Sequence, residues 1–104
     1  MAVIVVATAI PVPEYRDEVI AAFEAAIEKT HASEDGVLLY ALHEGQDGKL
    51  VMIEKYASDE AFAAHVKSEG LATFGAALRG KLTGPLDVQV LAPHPAGSAS
   101  KGAL

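Results

Sequence analysis

The chain has no cysteine, tryptophan or asparagine, only two arginines, and six lysines scattered singly through its 104 residues. Without cysteine there is no disulfide framework, no thiolate nucleophile and no Cys-based metal site, a composition that suits a reducing cytoplasm. Chemistry has to come from His, Tyr, Arg or carboxylates. Fourteen acidic side chains against eight basic ones leave a formal net charge of −6. With no cluster of Lys and Arg to displace counterions, a phosphate backbone is not an expected partner. Long apolar runs are also missing. The opening MAVIVVATAI is ten residues, too short to cross a bilayer and without the basic flank of a signal peptide, so it reads as a strand and no membrane partner is expected. There is no nucleotide fingerprint, phosphate-cradling loop or nucleophile elbow. Gly70, Gly75, Gly80 and Gly84 are too widely spaced for a phosphate loop and read as helix breaks.

What remains is a slightly greasy globular composition, 51% hydrophobic and 21% charged, long enough for one core. Residues 1–92 read as one domain. Residues 93–104, rich in Pro, Gly, Ser and Ala, read as a mobile tail. The β-branched opening predicts a strand over 2–10, ended by Pro11 and Pro13. Tyr15, Val19, Phe23 and Ile27, with Ala22, Ala26 and Thr30, then form a helical stripe that predicts a helix over 13–31. A turn cluster at 33–36 leads to a strand over 37–44, and Gly45-Gln46-Asp47-Gly48 closes a hairpin into a strand over 49–57. Ser58 is a good N-cap with Asp59 and Glu60 in the first turn, which starts a helix over 59–67. Gly70 is expected to interrupt it, a short helix follows over 71–78, and the last strand is expected over 86–91.

The order β-α-β-β-α-β is that of an α+β, ferredoxin-like fold: a four-stranded antiparallel sheet with both helices on one face. The first three strands are nonetheless apolar on both faces, whereas an antiparallel sheet with one wet face alternates more cleanly. A second copy packed sheet on sheet would cover the extra face, so a homodimer is expected.

Glu54 is a carboxylate in the middle of an apolar row, on the same strand face as Leu50, Met52 and Tyr56. Buried there it needs a partner, and an Arg or Lys from a neighbouring strand or subunit is the expected one, a structural or dimer role. His65, three residues after Phe62 and beside Val66, falls at the edge of the apolar stripe of its helix. An imidazole in that position can accept a proton or hold a hydrogen bond near neutral pH, or simply be packed at a junction. Tyr40 and Tyr56 are amphipathic anchors whose hydroxyls could reach a cavity, Phe23, Phe62 and Phe74 could line one, and Arg79 is the natural contact for an anionic group. His31 suits the dipole at the end of its helix, and His94 lies in the tail. No two of the four histidines have a spacing that makes a metal site readable, so none is assigned.

With these residues in place the chain resembles the antibiotic biosynthesis monooxygenase family, small dimeric α+β barrel proteins that include quinol monooxygenases and heme-degrading members. The marks are Glu34-x-Gly36 before a strand carrying Tyr40, Glu54-x-Tyr56 with Ser58 and Asp59, Ala61-x-x-x-His65, and Pro85-x-x-Val88, together spanning most of residues 2–92. The resemblance implies oxidation of a small activated aromatic, a hydroquinone, phenol or anthrone, by molecular oxygen with no metal or organic cofactor, in a pocket between sheet and helices where His65 would sit. Better-understood members use an asparagine from the first strand and a tryptophan on the second helix. This chain has neither, and His65 stands at the tryptophan position. Heme-degrading members carry an iron-binding histidine whose place here is about Gly75, so heme breakdown is not implied.

The expectation is therefore a cytoplasmic homodimer with His65 as the catalytic group and Tyr40, Tyr56, Phe62, Phe74 and Arg79 as substrate-positioning residues. Two rivals stand beside it: a non-enzymatic dimer that binds a small apolar metabolite, and a metal-assisted enzyme using His43 or His65 with Glu54.

Overall fold

The computed structural model describes residues 1–104. Strand β1 (Val3–Ala9) is followed by a short 3-10 turn (Pro13–Tyr15), where proline's fixed φ suits the entry to helix α1 (Arg16–Ser33). Strands β2 (Val37–Glu44) and β3 (Leu50–Tyr56) form a hairpin, helices α2 (Asp59–Val66) and α3 (Glu69–Leu78) follow, and β4 (Asp87–Leu91) closes the sheet. The strand order is β2-β3-β1-β4 with every pair antiparallel. This is the ferredoxin-like α+β fold expected from the element order. The boundaries differ from expectation chiefly at the second helical segment. The break comes at Lys67–Ser68, because Ser68 is itself an N-cap whose Oγ accepts the Leu71 N–H at 3.1 Å. Gly70 and Gly75 therefore lie inside α3 instead of breaking a helix, and Gly70 is packed beside Lys29 of α1.

Side chains of Val3, Val5, Ala7 and Ala9 on β1 and of Leu50, Met52, Glu54 and Tyr56 on β3 turn to the helices and are buried. Against them α1 buries Val19, Phe23, Ala26 and Thr30, the predicted stripe. α3 adds Phe74 and Leu78, with the Phe23 and Phe74 rings 4.8 Å apart. Burying each of these large side chains contributes about 1.5–3 kcal/mol. The start of α1 is tied to the hairpin by Arg16, which donates to the Gly48 carbonyl at 2.6 Å and pairs with Glu44 at 3.0 Å. Gly48 has φ of +86°, which only glycine adopts freely, and it closes the turn.

The opposite face carries Val6, Leu39, Ala41, Val51 and Ile53, all half-buried, and the core built with the helices includes none of them. The doubly apolar strands are thus real, with one face left without a helical cover. The segment after β4 contains a turn at Ser98–Gly102, and its last carbonyl, of Leu104, accepts a hydrogen bond from Lys55 Nζ on that same face at 2.5 Å. No helix is long and apolar enough to cross a membrane.

Candidate functional site

The site begins with the capping of α2. Ser58 Oγ accepts the Ala61 N–H at 3.1 Å, and Asp59 and Glu60 meet the positive end of the helix dipole. That fixes where the helix starts and so which residues face the sheet two turns later. The rotation differs from the expected one. His65 is the buried residue of α2, 4% exposed, whereas Val66 is 53% exposed, because the imidazole is held inward by a polar partner that the apolar pattern does not reveal.

That partner is Glu34, the residue that ends α1. Its Oε1 and Oε2 lie 3.0 and 3.3 Å from His65 Nδ1. A carboxylate accepts, so Nδ1 carries a proton, and in the neutral ring the lone pair is left on Nε2. The approach of α2 to this loop depends on Gly36. A Cβ there would stand 2.6 Å from the Ala61 Cβ, so the two segments touch only because Gly36 has no side chain.

Glu54 lies directly across the ladder from Tyr40 and is 6% exposed. Neither Arg nor Lys approaches it. Its partner is Tyr56, two residues along the same strand face, whose hydroxyl donates to Oε1. The expected cation is replaced by a local phenol, which suffices because burial pushes the Glu54 carboxyl above its ordinary value. The Tyr56 bond and the nearby His65 oppose that push. Burial likewise drives both phenols well above the ordinary tyrosine range: Tyr56 further through its bond to Glu54, Tyr40 through the neighbouring Glu54 and Glu34 charges. Both remain protonated donors at any working pH.

Between these groups and the helices lies a cavity of about 220 Å³, lined by apolar side chains with Tyr40, Glu54 and His65 as its polar members. His65 Nε2, Glu54 Oε2 and the Tyr40 hydroxyl have no hydrogen-bond partner in the protein, yet none of them is sealed from solvent access. The cavity thus presents two acceptors and one donor that the fold leaves unused. Half-exposed Val66 and Val88 mark its mouth, between the end of α2 and β4.

Of the residues singled out from sequence, His65, Tyr40, Phe62, Phe74 and Phe23 line this cavity, and so does Glu54. Two candidate substrate contacts fall outside it. Tyr56 is fully buried beneath it and acts by holding Glu54, and Arg79 is exposed at the end of α3. Arg79 borders an adjoining open groove of about 450 Å³ that shares Leu71, Phe74 and Leu86 with the cavity. A hollow of about 270 Å³ between α1 and α3, lined largely by alanines, has Lys29 as its one charged group and no convergent chemistry. His31 bonds the Tyr40 backbone carbonyl at 3.1 Å, a structural role. His43 pairs with Val51 on the sheet face opposite Glu54, so those two cannot share an ion. No three His, Asp or Glu side chains converge as a metal site. The residue that sequence reasoning left without a role is Glu34. Its signal was the Glu34-x-Gly36 pair itself, a carboxylate next to a glycine that another element packs against.

Residues 2–77 match the family model described as antibiotic biosynthesis monooxygenase. The chain is 39% identical over 98 residues to the Mycobacterium tuberculosis protein named "Putative monooxygenase Rv0793", covering 93% of this chain and 96% of that one. The solved structure of Rv0793 superposes with a TM-score of 0.87 at 36% identity, over 94% of this chain and all of the other. A Caulobacter crescentus structure described as a putative antibiotic biosynthesis monooxygenase gives a TM-score of 0.82 at 28% identity, over 86% and 87% of the two chains. These likenesses support a general monooxygenase role, and the chain belongs to the antibiotic biosynthesis monooxygenase family.

Proposed function

We propose that the protein is a cofactor-independent monooxygenase that oxidises a small hydroxylated aromatic with molecular oxygen, acting as a cytoplasmic homodimer. One observation carries the reading: an apolar cavity holds an imidazole whose Nδ1 is occupied by Glu34 and whose Nε2 is free. A phenolic O–H placed at Nε2 gives up its proton there, and Glu34 stabilises the imidazolium that forms. The resulting aryloxide is electron-rich enough to reduce oxygen. A ring carbon and dioxygen form a hydroperoxide, which collapses to a quinone as the second oxygen leaves as water. All four electrons come from the arene. The apolar walls exclude water from the reactive anion, and the protonated Tyr40 hydroxyl donates to the substrate oxygen as charge develops.

The homodimer reading is supported by the half-buried apolar side chains on the sheet face that no helix covers. The deciding experiment is oxygen consumption by metal-stripped protein with hydroquinones, anthrones and catechols, comparing wild type with His65→Ala. Turnover that falls about 100-fold or more in the variant is the expected result. Saturable binding of one compound with no oxygen uptake from any would replace this reading with a ligand-binding dimer.

A further inference from the structure

Three polar atoms are open to the cavity, and their chemistry differs. His65 Nε2 is an acceptor, the Tyr40 hydroxyl is a donor, and Glu54 Oε2 is a carboxylate oxygen whose sibling is already bonded by Tyr56. Glu54 Oε2 has no protein partner and stays open to the cavity, so a ligand that displaces its water must supply a donor or leave the oxygen unpaired. No lysine or arginine lines the cavity, and Arg79 borders the outer groove instead. The four salt bridges of the chain leave Glu54 out. The back wall therefore carries a carboxylate that no lysine or arginine pairs with, only the Tyr56 hydroxyl and the nearby imidazole, and a second carboxylate, Glu34, stands behind His65.

We infer that Glu54 is a specificity-determining residue, touching the ligand through Oε2: it takes a hydrogen bond from a ligand O–H other than the one at His65, and it rejects ligands carrying a carboxylate or phosphate. The inference rests on the hydroxyarene reading above and adds a rule of selection to it. A ligand with a second free hydroxyl satisfies Oε2. A methyl ether at that position leaves the oxygen unpaired, and an anionic substituent adds like-charge repulsion in a water-poor cavity. Substrates of this site are thus delivered by reactions that leave hydroxyls free and remove or never install an acidic group.

The test is equilibrium binding without oxygen, at about pH 8, well above the ordinary carboxylate range. The probes are 1,4-dihydroxynaphthalene, 4-methoxy-1-naphthol and 1,4-dihydroxy-2-naphthoate, against wild type and Glu54→Gln. Glutamine keeps an oxygen for Tyr56 but turns an amide donor toward the cavity and carries no charge. For wild type, methylation and carboxylation each weaken binding by about tenfold or more. In Glu54→Gln both penalties shrink to about threefold or less. Glu54→Met, tested alongside, is expected to lose the same discrimination and serves if the glutamine variant does not fold. Penalties unchanged in the folded variants would overturn the inference, as would failure of wild type to bind the diol. Binding that follows the rule without oxygen uptake would leave Glu54's role standing while removing the oxygenase reading.

Discussion

Glu34 and His65, 31 residues apart in sequence, meet at 3.0 Å with their side chains 17% and 5% exposed. This contact joins the end of α1 to the last turn of α2 and decides which imidazole nitrogen faces the cavity. Glu34→Ala is expected to lower the maximal rate of oxygen uptake about 10- to 100-fold, the range seen when the carboxylate behind a metal-bound imidazole is lost, with little change in KM. Glu34→Gln, which still offers an acceptor, should recover part of that loss. Equal losses in the two variants, or a loss confined to KM, would mean that the carboxylate does not orient His65.

The same contact depends on Gly36, whose added Cβ would stand 2.6 Å from that of Ala61. Gly36→Ala therefore pushes α2 away from the loop. The expected cost is about 1–3 kcal/mol of stability, as for other insertions into close packing. The swap Gly36→Ala with Ala61→Gly should restore most of it. Chemical denaturation of the single and double variants measures both, and failure of the second glycine to rescue would place the strain elsewhere.

The fold was legible because its signals are local or periodic. The stripe Val19, Phe23, Ala26 and Thr30 and the capping serine at Ser58 can be read without knowing what they pack against. The site was legible only in part. Its members on β2, β3 and α2 sit on predictable faces, but His65 was expected at the margin of the core and is buried in it. The reason is a hydrogen-bond partner, Glu34, supplied by another element, which no helical period encodes. The partner of Glu54 was missed for the converse reason: a tyrosine two residues along the strand stands in for the anticipated cation.

The face bearing Val51 and Ile53 yields a prediction about assembly. Sedimentation should show a dimer, and Val51→Glu with Ile53→Glu should give a folded monomer, since two buried like charges would face their copies across a two-fold axis. A wild-type monomer would sink the homodimer. Truncation after Pro93 should leave the thermal transition nearly unchanged, because the tail's link to the sheet through Lys55 is an exposed hydrogen bond worth about 1 kcal/mol at most. Loss of the dimer on truncation would show instead that the tail takes part in the interface.

Glu54 makes stability depend on pH in a direction opposite to most buried acids that have a cation. Its folded-state pKa is raised from 4.5, so the native state holds its proton more tightly than the unfolded chain does. In the window from 4.5 up to the raised value the native state binds more protons, and stability falls as pH rises through it. Below that window both states are protonated and the burial of charge costs nothing. Above it the cost is present in full. Glu54→Gln retains an oxygen for the Tyr56 hydroxyl and removes the charge, so the variant should be more stable than wild type at about pH 7. The gain is read as a higher Tm for the variant. At about pH 3.5, where wild-type Glu54 is itself neutral, the difference should vanish. Thermal unfolding of both proteins at the two pH values decides the matter. A gain of the same size at both would trace it to packing instead of charge, and a loss at neutral pH would mean that the Tyr56 hydroxyl and His65 stabilise the carboxylate by more than its burial costs.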